Sequence, residues 1–171
     1  IEKKIASWLS NFPQLKKNVK KKYQAFNFLL YNKKIKFKSP FIISVVDKSS
    51  KSSFFGYYDK CPESDDGTKI IYYRTNNDTS LKPQAKKPIE IVLKLLTTDE
   101  EIIIDKTFSY NWQQGAKMMW LSNDKFIYNI YCGELNKYLS KIYNLQSNTF
   151  QILDLPIYDC FKESYALSLN F

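Results

Sequence analysis

The chain has 171 residues, of which 44% are apolar and 16% aromatic, and this composition excludes a wholly disordered protein. It contains no histidine, which excludes Ser-His and Cys-His catalytic pairs and His-ligated metals within these residues. No apolar run approaches the length of about eighteen residues that a membrane-spanning helix needs.

The net charge of +9 is distributed unevenly along the chain. Residues 1–40 contain eleven lysines and one acidic residue, whereas residues 41–171 have a net charge of −1. Only one of the 26 basic residues is an arginine, Arg74. Because bidentate recognition of bases and phosphates favours arginine over lysine, the sequence argues against sequence-specific binding of nucleic acid.

The three cysteines, Cys61, Cys132 and Cys160, form no CxxC motif, so neither a zinc site nor a redox pair is predicted. We expect no metal and no cofactor, and free thiols in a reducing compartment. The protein is therefore predicted to be cytoplasmic, either free or peripheral to a membrane. The first residues, IEKKIASWL, lack the apolar centre of a signal peptide, and the missing initiator methionine predicts a fragment of a longer protein.

Residues 1–38 are predicted to form a basic amphipathic helical segment, in which Pro13 opens a second helix at its first turn. Apolar residues recur before Pro13 at helical spacing: Ile1, Ile5, Trp8, Leu9 and Phe12. The apolar stripe of the second helix consists of Leu15, Val19, Tyr23, Phe26 and Leu30. Off that stripe lie Lys16, Lys17, Lys20 and Lys21. Three roles remain open: a cap on the following domain with a solvated lysine face, adhesion to an anionic membrane surface, and contact with an acidic partner.

Past Pro40 the pattern changes to short runs rich in Ile, Tyr, Phe and Val, separated by polar turns. Ten strands are predicted, at residues 41–46, 54–58, 69–74, 89–96, 101–107, 117–121, 125–131, 138–145, 149–153 and 165–169. Nothing between them has the period and length of a helix, which excludes parallel βαβ units. We therefore predict an antiparallel all-β body.

An internal repeat divides this body into units. The segments IVLKLLTTDEEIIID (91–105) and SKIYNLQSNTFQILD (140–154) align without a gap, and SDDGTKIIYY (64–73) matches LSNDKFIYN (121–129). Each copy holds four strands over about 50 residues, a period typical of β-propeller blades. The segment YALSLN (165–170) is predicted to be the first strand of a third copy.

Two longer motifs carry a family resemblance. The segment FFGYYDKCP (54–62), followed by SDDGTKIIYY, resembles the first blade of bacterial TolB-like, WD40-like propellers. The segment NWQQGAKMMW (111–120) is similar to the next-blade motif of an uncharacterised subgroup, although Asn123-Asp124 replaces Asp-Gly in its turn. The resemblance covers residues 40–171. It implies a partial β-propeller over residues 41–171, with two four-stranded antiparallel blades and the start of a third, preceded by the helical segment 1–38.

The two motifs also supply candidate ligand-binding residues, because the innermost strands of adjacent blades lie side by side. These candidates are Tyr57, Tyr58, Asp59, Lys60, Trp112, Gln113 and Gln114. Strand alternation predicts Tyr57 and Asp59 on one side of the strand, with Tyr58 and Lys60 on the other. Aromatic faces suit sugar rings, and amide and charged groups suit hydroxyls and carboxylates. The alternative interpretation is structural, with the aromatic residues packed between blades and Asp59 bonded to the backbone. Gly56 and Gly115 are expected to serve backbone geometry.

Two functions follow as hypotheses. The first is a bacterial propeller that binds or processes an oligosaccharide or polysaccharide, in surface-polysaccharide metabolism. The second is a non-catalytic scaffold that binds a protein and whose basic helix docks on a partner or membrane surface. The wider superfamily includes oligosaccharide lyases and hydrolases, peptidase-associated propellers and interaction scaffolds, so the fold alone does not choose between them. Catalytic residues and enzymatic activity stay undetermined.

Overall fold

The structure is a computed structural model that describes residues 7–8, 10–31 and 38–169. It divides into two compact units, Ile1–Val45 and Val46–Phe171. In the first unit, helix α1 spans Pro13–Tyr31. The described part of the second unit forms ten strands: β1 (Ser52–Phe54), β2 (Lys69–Thr75), β3 (Ile89–Leu95), β4 (Glu100–Thr107), β5 (Met119–Ser122), β6 (Lys125–Cys132), β7 (Lys137–Asn144), β8 (Thr149–Leu153), β9 (Asp159–Phe161) and β10 (Tyr165–Leu167).

The helix predicted to open at Pro13 is confirmed. Proline suits this position because a helix leaves its first N–H groups unbonded and the ring already holds the backbone near helical geometry. None of the residues of α1 is buried. Three residues predicted to precede it on a helix, Ile1, Ile5 and Leu9, lie outside the described part of the chain.

The strands form two four-stranded sheets and a hairpin, all antiparallel. Sheet I has the order β1-β2-β3-β4, sheet II has the order β5-β6-β7-β8, and β9 pairs with β10. Short polar turns connect β3 to β4 and the strands of sheet II, as the repeat in the sequence indicates, whereas longer loops (residues 55–68 and 76–88) join β1 to β2 and β2 to β3. The predicted antiparallel body with two four-stranded sheets is therefore confirmed.

Three strand predictions are wrong. Residues 41–46 form no strand although they are rich in β-branched residues, and the Ile42 side chain is fully exposed. A propensity for extended backbone yields a strand only where a neighbouring edge is present to pair with it. Strand β1 ends at Phe54 instead of continuing to residue 58. The short strand β9 was not predicted, and β10 is consequently the second strand of the hairpin rather than the first strand of a unit.

Sheets I and II share one hydrophobic core. Successive side chains of β2 point to opposite faces of sheet I. Ile71 and Tyr73 therefore point into this core, while Tyr72 and Arg74 lie on the opposite face. The buried members of the shared core are Ile71, Tyr73, Ile89, Ile91 and Leu93, together with Ala116, Met118, Phe126 and Tyr128. Both faces of β2 are buried, which explains its nearly continuous apolar and aromatic sequence.

The hydroxyl of Tyr73 joins the two sheets. It accepts hydrogen bonds from the backbone N–H groups of Ala116 and Met118, both at 2.9 Å. Burial raises the pKa of Tyr73, so the hydroxyl stays neutral. These bonds satisfy two buried backbone donors immediately before β5, where the ladder with β6 has not yet begun.

Asp105, at the end of the repeated segment in β4, forms a second connection between the sheets. Its carboxylate accepts hydrogen bonds from the Tyr128 hydroxyl at 2.5 Å and from the Lys141 ammonium at 2.7 Å, both on sheet II. Burial acts to raise the pKa of Asp105, but the bonds from Lys141 and Tyr128 outweigh it and hold that pKa below its ordinary value.

The opposite face of sheet I carries a charged network under residues 46–51. The Arg74 guanidinium binds the Asp47 carboxylate through two bonds of 3.0 and 3.1 Å and also pairs with Glu101. The Lys94 ammonium donates to the Val46 carbonyl at 2.6 Å. The single arginine of the sequence therefore forms an internal ion pair, which holds the segment before β1 against sheet I.

Replacing Asp105 by Asn tests the second connection. A carboxyl with a lowered pKa stabilises the fold above its ordinary pKa of about 3.9, and this contribution is lost as the pH falls through the lower pKa of the folded state. We expect Asp105→Asn to lower the free energy of unfolding by about 1–2 kcal/mol at pH 7. The loss should shrink below about pH 4, measured by urea denaturation across the pH range.

Asp154 provides the matched control, because it holds the equivalent position in the repeat but is exposed. Asp154→Asn should leave the unfolding free energy within about 0.5 kcal/mol of the parent value. An equal effect of the two substitutions would show that the bonds from Tyr128 and Lys141 contribute nothing to stability.

Candidate functional site

Three segments of the second unit meet beside the shared core: the loop after β1, the turn Asn111–Gly115, and the start of β9. The turn is shaped by Asn111, whose side-chain oxygen accepts the backbone N–H groups of Gln113 and Gln114 at 3.0 and 2.7 Å. Backbone hydrogen bonds in both directions between Asn111 and Gly115 close it. The turn therefore keeps one conformation and presents the Gln114 side chain from a fixed position.

Two glycines allow these segments to approach each other. Gly115 has φ +58°, and a Cβ added there would lie 2.0 Å from the Tyr73 ring. A Cβ added at Gly56 would lie 3.1 Å from the Gln114 carbonyl oxygen. Any other residue at Gly115 would push the turn off the ring that binds Ala116 and Met118. The expectation that both glycines serve backbone geometry agrees with these contacts.

Four of the seven candidate residues converge. Tyr57, Asp59, Lys60 and Gln114 line one small hollow of about 10 Å³, next to Lys117. The hollow is too small for a ligand. A groove of about 290 Å³ shares Gln114 and Lys117 with it. Further polar and aromatic residues of the groove are Ser109, Tyr110, Asn111, Asn129, Tyr138 and Tyr158.

The predicted alternation along the first motif is wrong. Because β1 ends at Phe54, residues 57–60 form a turn, closed by a bond of 3.3 Å from the Lys60 N–H to the Tyr57 carbonyl. Asp59 and Lys60 consequently line the same hollow instead of opposite sides of a strand. Tyr58 projects outward, with 89% of its surface exposed.

Trp112 and Gln113 do not line the hollow. The Trp112 ring packs edge-on against Phe54, with centroids 5.6 Å apart, and its indole N–H donates to the Leu81 carbonyl at 2.6 Å. Gln113 is exposed at the tip of the turn. The contacts of Trp112 fit the structural interpretation of this residue, since its indole N–H is bonded to a backbone carbonyl and its ring contacts Phe54 and Tyr110.

An ion pair links the loop after β1 to β9. The Lys60 ammonium lies 2.5 Å from the Asp159 carboxylate and 3.7 Å from the Asp59 carboxylate. The hydrogen bond from Lys60 lowers the pKa of Asp159. Partial burial opposes the charge of Lys60, but the Asp159 carboxylate raises the pKa of Lys60 overall. The pair is charged near neutral pH and holds the hairpin against the loop.

Lys117 is the second ammonium of this region and has a different environment. Its backbone has φ +56°, a conformation that residues other than glycine seldom adopt. Its ammonium lies 4.2 Å from the centre of the Tyr158 ring, a cation–π contact. Among the described residues Lys117 forms no ion pair within 4 Å, and its side chain lines the groove.

Sequence reasoning missed Lys117, Tyr138, Tyr158 and Asp159. A signal for two of them was present, because Tyr158-Asp159 repeats the Tyr58-Asp59 dipeptide of the first motif. Lys117 lies within the NWQQGAKMMW motif, where the sequence pattern predicts only the first residue of a strand. Tyr138 lies in β7, and no local pattern distinguishes it from its neighbours.

Comparisons with protein-family models, with curated proteins and with solved structures found no match to this chain. Within the described residues, no group of three or more histidine, cysteine or acidic side chains is placed to hold a metal ion. In the same part of the chain, no helix has both the length and the apolar character needed to cross a bilayer.

Gly115→Ala tests the contact between the turn and Tyr73. The added methyl group would collide with a fully buried ring, and the left-handed backbone would be strained, so we expect a loss of at least about 2 kcal/mol in unfolding free energy. The matched control is Gly133→Ala, because nothing lies within 4 Å of a Cβ built at Gly133. Thermal and urea denaturation of both variants measure the difference, and equal stabilities would contradict the proposed packing.

Proposed function

We propose that residues 46–169 form consecutive blades of a β-propeller and that the groove beside Gln114 and Lys117 binds a carbohydrate. The observation that carries the proposal is the convergence of amide, ammonium and tyrosine side chains around this groove, from the segment between the two sheets, from sheet II and from the segment before β9. The family resemblance of the two motifs supports the same assignment. The proposal is for binding only, because the ionisable groups described in the groove are a lysine and tyrosines.

The propeller is supported by direct contacts between sheet I and the hairpin. Lys60 pairs with Asp159 at 2.5 Å, and Lys162 pairs with Asp65 at 3.3 Å. Sheet II packs against sheet I through the shared core and against the hairpin through Met119 and Ile157. The two pairs join loops of non-adjacent units, the segment between β1 and β2 and the hairpin β9–β10, which fits units that curve around a common axis.

The chemistry of the groove suits a sugar. Tyr138 and Tyr158 are 55% and 44% exposed and offer apolar ring faces for stacking. The Gln114 amide both donates and accepts hydrogen bonds, and the Lys117 ammonium donates them, which matches the hydroxyls of a saccharide. A groove of about 290 Å³ accommodates one or two sugar rings at its surface.

Binding measurements with variants of the groove test the carbohydrate proposal. Glycan-array screening followed by calorimetry should identify a saccharide ligand, and Gln114→Ala and Tyr158→Ala should each weaken its binding by about tenfold. Gln151→Ala is the matched amide control, since Gln151 is exposed on β8 outside the groove. Absence of saccharide binding, or unchanged binding by both folded groove variants, would contradict the proposal.

Carbodiimide cross-linking tests the propeller arrangement, because the reagent couples a lysine to a carboxylate only when the two are in contact. We expect peptides joined through Lys60–Asp159 and through Lys162–Asp65, identified by mass spectrometry. Lys125–Glu163, paired at 2.8 Å between sheet II and the hairpin, is the positive control. Recovery of the control peptide without the other two would show that sheet I and the hairpin lie apart.

A further inference from the structure

Helix α1 exposes a continuous apolar stripe. Its five members are spaced by four, four, three and four residues, which places them on one face of the helix. They are Leu15, Val19, Tyr23, Phe26 and Leu30, and each has at least 42% of its surface exposed. Single exposed apolar residues are ordinary, but a stripe along most of a helix marks an interaction surface.

Lysines cover the N-terminal half of the helix outside the stripe, whereas the C-terminal end carries the exposed apolar or aromatic residues Phe28, Leu29 and Tyr31. The sequence of α1 contains five lysines and no acidic residue, and all five lysines are exposed. Four of them, at positions 16, 17, 20 and 21, lie off the stripe at helical spacing. Long lysine side chains beside an apolar face can reach outward while the face is buried. The helix therefore combines a face that favours an apolar medium with flanks that favour negative charge.

We propose that α1 lies in the surface of an anionic membrane, with the stripe facing the acyl chains and the lysines contacting lipid headgroups. Charge complementarity selects this occupant, because a surface of anionic headgroups faces the lysines on both sides of the stripe at once. Solvated ammonium groups suit a diffuse anionic surface better than the bidentate geometry of a specific protein or nucleic-acid site. Tyr23 and Phe26 on the stripe are residue types that occupy the boundary between headgroups and acyl chains. This inference is independent of the carbohydrate proposal.

Vesicle co-sedimentation of the full chain tests the proposal. The probes are vesicles of phosphatidylcholine with one quarter phosphatidylglycerol and vesicles of phosphatidylcholine alone. We expect binding to the anionic vesicles, weakened about tenfold or more by the double variant Lys16→Gln/Lys20→Gln at low salt. High salt should reduce binding of the parent chain toward that of the double variant.

The apolar side of the helix offers a matched pair of variants. Phe26 lies on the stripe, whereas Phe28 lies two positions later on a different face, and both are largely exposed. Phe26→Ser should weaken vesicle binding by about tenfold, and Phe28→Ser by no more than about twofold. Both substitutions cost the same in helix propensity, so circular dichroism should show equal helix content.

Three outcomes would overturn the proposal. The first is no binding to the anionic vesicles, and the second is equal binding to both kinds of vesicle that the lysine variant leaves unchanged. The third is tight binding to soluble polyglutamate that exceeds vesicle binding and is insensitive to Phe26→Ser, which would assign the helix to an acidic protein partner instead.

Discussion

The contact between the Tyr73 ring and Gly115 determines how the two sheets fit together. The ring is completely buried, its hydroxyl accepts two backbone N–H groups, and the absence of a side chain at Gly115 leaves room for it. Side chains in a close-packed interior tolerate little displacement, so the turn before β5 has one position against the Tyr73 ring. The same turn carries Gln114 and Lys117, and the geometry of the candidate groove therefore depends on a contact that belongs to the core.

The lysines of the two units differ in whether they form ion pairs. In the second unit several lysines are paired with carboxylates, as in Lys60–Asp159, Lys51–Glu90 and Lys141–Asp105. These partly buried pairs join separate segments, so their contribution is chiefly to fix which segments meet. The lysines of α1 form no ion pair with any described residue and remain available to an external anionic surface. Lys117 is one of several lysines of the second unit without an ion pair among the described residues, and it lines the groove.

Sequence patterns predicted most of the strands because both sheets are antiparallel and every connection in sheet II is a short local turn. Alternation and β-branched residues locate β2, β3, β6 and β7, and the polar turns between them follow the repeat. The errors have physical causes. Residues 41–46 have a high β-strand propensity but pair with no neighbouring strand. Strand β9 has only three residues, too few to show the two-residue alternation of a strand. Four of the candidate residues, Tyr57, Asp59, Lys60 and Gln114, do come together, while Trp112 packs on Phe54.

The sequence by itself determined the local structure: a basic amphipathic helix from Pro13, an antiparallel β body built from a repeat, and glycines where backbones come close. These features depend on side-chain periodicity and backbone freedom within a few residues. Only the tertiary structure decided which motif residues face one another, and it brought Lys117, Tyr158 and Asp159 into the site. Contacts such as Lys60–Asp159 join residues far apart in the chain. They depend on the positions of whole β units, and the packing of the Tyr73 ring against Gly115 is one of the buried contacts that fix those positions. No local pattern encodes that placement, since it depends on how complete surfaces pack.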